Sequence, residues 1–256
     1  MKNTAFVIDT NDTRMFYFLK ELKNKGYTTM NLDTYDKKTP VVYCFSPSKR
    51  FTNEEISNLN NSSLLIAGNL PNSQKEILSE KNIQYRNILL DEVFSIENAC
   101  QTAEATLMLI IRATNLSLYD MKIAILGYGR LGKAIGDLFK RLGLNFSIYT
   151  NDYMEGATAH LLKCNVYNLE HSLKNYDVIV NTIPAKILTI DKLQTTKKSC
   201  YILDLASNSS CDYSDITALG LMYEMALGLP GKYSPKSSGK ILADAVLRLK
   251  EVDLWL

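Results

Sequence analysis

The chain has 256 residues, 46% hydrophobic and 22% charged, with 29 Lys and Arg against 27 Asp and Glu for a formal charge of +2. That length supports one large core or two moderate ones, and two domains are expected. So small a net charge builds no basic field for nucleic acid or an anionic membrane, which leaves a small molecule as the expected partner.

In chain order, Ala5 to Ile8 reads as a strand, Thr13 to Lys25 as a helix with Gly26 past its end, and Tyr27 to Leu32 as a return strand. Further strands are expected at Val41 to Phe45, Leu64 to Ala67 and Gln84 to Leu90, with helix starts at Asn53 and around Pro71-Asn72. From Glu97 to Ala113 the apolar residues Ala99, Ala103, Leu107, Ile110 and Ile111 follow helical spacing, and this helix is read as a bridge between domains.

A second alternating series opens with a strand at Lys122 to Leu126 and a helix over Arg130 to Leu142. Strands follow near Phe146 to Tyr149, Asp177 to Asn181, Tyr201 to Leu205 and Leu221 to Tyr223, with a helix around Gly156 to Lys163 and an apolar helical run over Ile241 to Leu249. The fold class expected is therefore α/β: a Rossmann-type parallel sheet domain and a smaller N-terminal α/β domain, linked by helices. The expected boundaries are 1–96 for a flavodoxin-like or Rossmann-like first domain, 97–118 for the linking helix, 119–233 for the dinucleotide domain, and 234–256 for a C-terminal helix packing back between domains.

The densest apolar run, Leu107 to Ile111, stops at Arg112, far short of a membrane span, and no signal segment is read, so a cytoplasmic chain is expected. Five cysteines form no CxxC pair and suit free, buried thiols in a reducing compartment. His160 and His171 stand in no zinc-like spacing, and no metal site is expected.

The most informative motif is Gly127-Tyr128-Gly129-Arg130-Leu131-Gly132, placed between a strand and a helix start. The first glycine permits a tight turn, the second a close approach of backbone to pyrophosphate, and the third close helix–strand packing, while the helix N–H groups face the phosphates. At the next strand end, Tyr149-Thr150-Asn151-Asp152 places neither an acid nor an arginine at the tip. Thr150 and Asn151 can hydrogen-bond NAD or NADP, Asp152 reaches a ribose only if the loop folds back, and the choice of cofactor stays open.

Asn181, Thr182, Ile183 and Pro184 close another strand at the carboxyl edge, on the nicotinamide side of a bound dinucleotide. Asp204 and Ser207 close the following one, where Asp204 is either a catalytic carboxylate or a loop brace. Ser234 with Pro235 reads as an N-cap and first helical position, and the N–H groups there, with Lys236, Ser237 and Ser238, suit a carboxylate.

The stretches LGYGRLG at Leu126 to Gly132, DVIVNTIPAKIL at Asp177 to Leu188, LDLAS at Leu203 to Ser207 and GLPGKYSPKSSGKILA at Gly228 to Ala243 resemble, in order and spacing, the A subunits of dipicolinate synthase. Thr102 and Glu104 are similar to a Thr-x-Glu element on that family's linking helix. The resemblance implies oxidation of a dihydrodipicolinate-type ring, formed from 4-hydroxy-tetrahydrodipicolinate, to dipicolinate with a nicotinamide acceptor. It also implies a partner, the flavoprotein-like B subunit of dipicolinate synthase, in the mother cell of a spore-forming bacterium, with a second copy of the chain left open.

On that reading substrate enters between the domains, its carboxylates meet Thr102, Ser207, Lys236, Ser237 and Ser238, and Glu104 is the base, its alternative being a charge on the polar side of the helix. The chain departs from the family pattern at Asn208 to Cys211, where a Gly-Gly turn is usual, and at Gln101 and Ala105, where Pro and Gly are usual. The rival functions are another NAD(P)-dependent dehydrogenase of small carboxylic acids and a non-catalytic NAD(P)-binding regulatory subunit.

Overall fold

The computed structural model describes residues 5–9, 12–35, 40–60 and 63–252. Part of the polar loop read over Asp33 to Pro40, residues 36–39, lies outside the described residues, as do 253–256 at the end of the expected C-terminal helix. The chain divides into two compact units, Met1–Asn98 with Gly228–Leu256, and Ala99–Leu227.

In the first unit β1 (Ala5–Ile8), β2 (Thr28–Asn31), β3 (Val42–Cys44), β4 (Leu64–Ala67) and β5 (Gln84–Asn87) form a parallel sheet in the order β2-β1-β3-β4-β5. Its central strands are buried on both faces, as parallel strands covered by helices must be. Phe6, Ile8, Val42, Cys44 and Ile66 enter one core layer with Met15, Phe18 and Leu22 of α1 (Thr13–Asn24). Val7, Tyr43, Leu65 and Ala67 point to the other layer, with Ile56 of α2 (Asn53–Ser57) and Leu78 of α3 (Asn72–Glu80). The alternation along each strand follows from the two-residue period of β side chains.

The long helix α4 runs Glu92–Ala113, starting five residues earlier than the apolar spacing suggests, because Asp91 caps it by accepting the Phe94 N–H at 2.7 Å. In the second unit β6 (Ile123–Leu126), β7 (Phe146–Tyr149), β8 (Asn165–Tyr167), β9 (Val178–Asn181), β10 (Tyr201–Asp204) and β11 (Met222–Met225) are all parallel, in the order β11-β10-β9-β6-β7-β8. This is the doubly wound order whose direction reverses between β6 and β9, where ligands collect outside the strand ends. The helices of this unit are α5 (Arg130–Arg141), α6 (Tyr153–Leu161), α7 (Ile190–Thr195) and α8 (Tyr213–Leu219). Strand β8 and helices α7 and α8 have too few apolar residues in period to show in the sequence.

The chain closes with α9 (Leu229–Tyr233) and α10 (Pro235–Val252), and both differ from the boundaries read in the sequence. Residues 228–233 fall in the first unit, because Leu229, Pro230 and Gly231 are buried and α9 packs on α1. Helix α10, expected between domains, gives Leu242, Ala243, Ala245 and Val246 to the α1 layer of the first unit's core. A β-carbon on Gly239 would come within 2.7 Å of Arg14 O, Phe18 N and Tyr17 Cβ, so the two helix backbones meet where the side chain is missing.

Cys44, Cys200 and Cys211 are buried, whereas Cys100 is exposed on α4, against the expectation of burial for all five. Burial pushes the Cys200 thiol up to about 12 and raises that of Cys44 as well. Among the described residues no helix is long and apolar enough to cross a membrane.

Candidate functional site

The glycine turn follows β6 directly. Gly127 adopts φ +89°, a conformation that L side chains avoid, and its N–H donates to Tyr149 O at 2.8 Å. A β-carbon there would lie 2.6 Å from Thr182 Oγ1 and 2.7 Å from Ile183 Cγ1. Gly132 sits so close to the carbonyl of Gly127 that a β-carbon would overlap its oxygen, which brings α5 onto the strand end. Gly129 is the N-cap of α5 and carries no side chain to cap the first turn. These features fit a diphosphate: the backbone is bare where phosphate oxygens would approach, and the helix dipole favours negative charge. Tyr128 contributes only backbone to this face, since its ring is buried beside Gly136, while Arg130 is exposed and Leu131 half-buried.

The turn from β7 into α6 is closed by a chain of hydrogen bonds. Thr150 Oγ1 accepts from Asp152 N at 3.1 Å and donates to Glu155 Oε2 at 2.7 Å. The same Oε2 accepts the Tyr128 N–H at 2.8 Å, so Glu155 joins this turn to the glycine loop. Asp152 caps α6 by accepting from Glu155 N at 2.8 Å, and Asn151 Oδ1 accepts from Leu169 N at 2.9 Å. Glu155 escaped the sequence reading, although Asp152-x-x-Glu155 has the spacing of a capping box.

At the ends of β9 and β10 the polar groups are largely spoken for. Thr182 Oγ1 donates to Leu126 O at 2.9 Å, and the Asn181 amide bonds the backbone of Ile183 through both its atoms. Ile183 is half-buried and Pro184 exposed. Asp204 is 0% exposed. Its carboxylate accepts from Asn181 Nδ2 at 2.9 Å, Ala206 N at 3.2 Å, Ser210 N at 2.7 Å and Tyr223 O–H at 3.0 Å. Of its two readings, the brace is the one the geometry supports. Burial raises the Tyr223 phenol, Ser209 opposes that, and the Asp204 charge adds to it.

The structure brings the candidate cofactor residues 127–132, Thr150, Thr182 and Ile183 together within the second unit. The candidate substrate residues are placed differently. Thr102 is buried and Glu104 exposed, as two residues of spacing on a helix requires. Ser207 is exposed. Lys236 and Ser237 are exposed on the first turn of α10, but Ser238 is 0% exposed and its Oγ has no hydrogen-bond partner among the described residues. Ser238 therefore does not share a face with Lys236 and Ser237. Ser234 directs its hydroxyl to Pro230 O at 3.4 Å, while its carbonyl accepts the Ser238 N–H at 2.9 Å.

The first unit holds a cavity of about 230 Å³ lined by Asp9, Asp12, Met15, Ser46, Ser48 and Lys49. It lies beyond the ends of β1 and β3, where that sheet's order reverses. Ser46 Oγ donates to Asp12 Oδ2 at 2.7 Å and lies 3.0 Å from Ser48 Oγ. Arg14, 2% exposed, lies behind Asp12, and its Nε has no partner among the described residues. Burial lowers its pKa, and Asp12 opposes that. None of these residues stood out in the sequence, because only the strand order shows that β1 and β3 are neighbours.

Residues 96–219 match the family model described as D-isomer specific 2-hydroxyacid dehydrogenase, NAD binding domain. The sequence is 32% identical over 164 residues to the A subunit of dipicolinate synthase from Bacillus subtilis (strain 168), a match covering 60% of this chain and 54% of that relative. The matched stretch thus spans about half the length of the curated relative. The A subunit of dipicolinate synthase from Bacillus halodurans superposes with a TM-score of 0.85 at 23% identity, covering 96% of this chain and 97% of that one. The corresponding Bacillus subtilis structure gives 0.85 at 20% identity over 100% and 99%. The apo-structure of D-lactate dehydrogenase from Escherichia coli gives 0.71 at 13% identity over 98% and 96%. The structural likenesses establish the fold. The chain is related in sequence to the A subunit of dipicolinate synthase, and its residues 96–219 are similar to the NAD binding domain of D-isomer specific 2-hydroxyacid dehydrogenases.

Proposed function

We propose that this chain is the nicotinamide-dependent component of an oxidoreductase that takes a dihydrodipicolinate-type ring, formed by dehydration of 4-hydroxy-tetrahydrodipicolinate, to dipicolinate. The observation that carries the cofactor is the bare N-terminus of α5 behind a positive-φ Gly127 at the β6/β9 reversal. The sequence relationship to the A subunit of dipicolinate synthase supports the substrate.

Within the loop 127–132, whose Gly127 and Tyr128 N–H groups go to Tyr149 O and Glu155, the backbone from Gly129 onward binds the diphosphate, and Thr150, Asn151, Thr182, Ile183 and Pro184 line the two ends of the dinucleotide. When bound, the nicotinamide ring supplies the acceptor for a hydride leaving a ring carbon. The protein's task is then to orient that C–H and to take one proton. Glu104, exposed on α4, takes the proton. Lys236 and Ser237, exposed at the start of α10, hold a substrate carboxylate. Ser238 is better assigned to seating α10. A second kind of chain completes the enzyme, as the naming of the relative by a subunit letter suggests, and the setting is the cytoplasm of a sporulating mother cell.

Calorimetric titration with NAD⁺ and NADP⁺ tests the cofactor, and silence from both at millimolar concentration overturns the reading. Turnover of freshly made substrate, with and without a co-purifying B-type partner, separates an enzyme from a regulatory dinucleotide-binding chain. Lys236→Ala is expected to weaken dipicolinate binding and leave dinucleotide binding unchanged.

A further inference from the structure

We infer that Glu155 selects NAD⁺ over NADP⁺ by placing a carboxylate at the adenosine ribose; the inference rests on the dinucleotide reading above. In doubly wound folds an acid at the tip of the second strand accepts the ribose hydroxyls. Here that tip is Thr150-Asn151, and Asn151 is occupied by Leu169 N. The acid arrives instead from the first turn of α6, five residues later.

A Glu at the third helical position ordinarily bonds back to the N-cap N–H. In this chain Thr150 Oγ1 takes the Asp152 N–H, and Asp152 Oδ1 takes the Glu155 N–H. The Glu155 carboxylate is thereby released to cross to the glycine loop. Its Oε2 is held by Tyr128 N at 2.8 Å and Thr150 Oγ1 at 2.7 Å, which fixes its orientation. Its Oε1 accepts no hydrogen bond among the described residues and lies 3.5 Å from where a β-carbon on Gly129 would stand. One anchored oxygen and one open oxygen, beside the bare backbone of the loop, form an acceptor for a vicinal diol.

The same carboxylate repels a 2′-phosphate. From Thr150 to Leu162 the chain has two acids, Asp152 and Glu155, one histidine, His160, and no Lys or Arg. Arg130 is the cation of the glycine loop itself, one residue past Gly129, and is the group a 2′-phosphate would have to recruit against Glu155.

The test is calorimetric titration of the whole chain with NAD⁺, NADP⁺, ADP-ribose and 2′-phospho-ADP-ribose. The parent is expected to bind each ligand bearing a free 2′-hydroxyl about tenfold or more tightly than its 2′-phosphorylated counterpart, the scale of a hydrogen bond to a charged group. Glu155→Gln is expected to weaken NAD⁺ and strengthen NADP⁺, collapsing that ratio. Should E155Q fold poorly, Glu155→Asp, which keeps the charge and withdraws the carboxylate by one methylene, is expected to narrow it. A parent that binds both dinucleotides equally, or variants that weaken both alike as a mere loop brace would, overturns the assignment to Glu155 and leaves the dinucleotide site standing. Binding of neither ligand overturns both.

Discussion

The hydroxyl oxygen of Thr182 lies 2.6 Å from the point where Gly127 would carry a β-carbon, and the carbonyl of Leu126 holds that hydroxyl at 2.9 Å. The end of β9 is therefore pressed onto the first glycine of the loop, at a residue whose φ is +89°. Gly127→Ala meets both a clash and a disfavoured backbone, and is expected to destabilise the second unit by about 2–3 kcal/mol. It should also abolish dinucleotide binding. Urea denaturation and calorimetry on the same preparation check both, and an alanine variant of parental stability would show that the loop relaxes freely.

Asp204 separates a catalytic from a structural carboxylate. Removing it leaves one amide hydrogen of Asn181 and the N–H groups of Ala206 and Ser210 without their acceptor, and leaves the Tyr223 hydroxyl only its 3.0 Å contact with Ser209 Oγ. Asp204→Ala is expected to cost about 3 kcal/mol of stability, because buried donors left unpaired bear their full desolvation penalty. A variant that melts like the parent yet has lost turnover would return Asp204 to the catalytic list.

The pair Asp91 and Arg248 makes the first unit sensitive to acid. Arg248 Nη2 donates to Asp91 Oδ1 at 2.7 Å and Nε to Oδ2 at 3.3 Å, tying α10 to the cap of α4. Burial pushes the Asp91 carboxyl up, but the Arg248 hydrogen bonds, the Phe94 N–H and the guanidinium charge outweigh it and hold the group below its ordinary value. A carboxyl more acidic when folded stabilises the fold above its unfolded pKa of about 3.9, and that contribution drains away as pH falls through the lower folded value. Asp91→Asn is expected to be less stable than the parent by about 1 kcal/mol or less at pH 7, since Arg248 is partly solvated. The gap should close below about pH 3 in urea melts, and a pH-independent gap would show that the cap alone matters.

Gly239 and Ser238 should respond in opposite directions. A β-carbon on Gly239 strikes backbone atoms of α1 at 2.7 Å, so Gly239→Ala is expected to push α10 away and cost about 2 kcal/mol. The Ser238 hydroxyl is buried with no partner among the described residues, so Ser238→Ala is expected to be neutral or stabilising by up to about 1 kcal/mol. Thermal melts decide both, and a loss of dipicolinate affinity in stable Ser238→Ala would place that hydroxyl at the substrate.

Strand positions such as Ala5–Ile8, Leu64–Ala67 and Phe146–Tyr149 were legible because short apolar runs between turn residues admit few other conformations. The glycine loop was legible for a related reason: positive φ and overlapping backbones exclude every other residue type, so chemistry at Gly127 and Gly132 is written in identity alone. Local sterics and periodicity thus settled the α/β class and the position of the glycine turn without reference to distant contacts.

Glu155, the Asp12–Ser46 pairing and the seat of α10 are of another kind. Glu155 could have closed an ordinary capping box until Thr150 took the competing N–H. Asp12 and Ser46 are neighbours because β3 pairs with β1, although they stand 34 positions apart in sequence. The helix start with Lys236, Ser237 and Ser238 reads as an anion site, yet Ser238 is buried and the next residue, Gly239, faces α1, where backbone contact leaves no room for side chains. In each case a polar or small residue had several partners within reach of the local chain. Strand order and helix packing, which are long-range, chose among them.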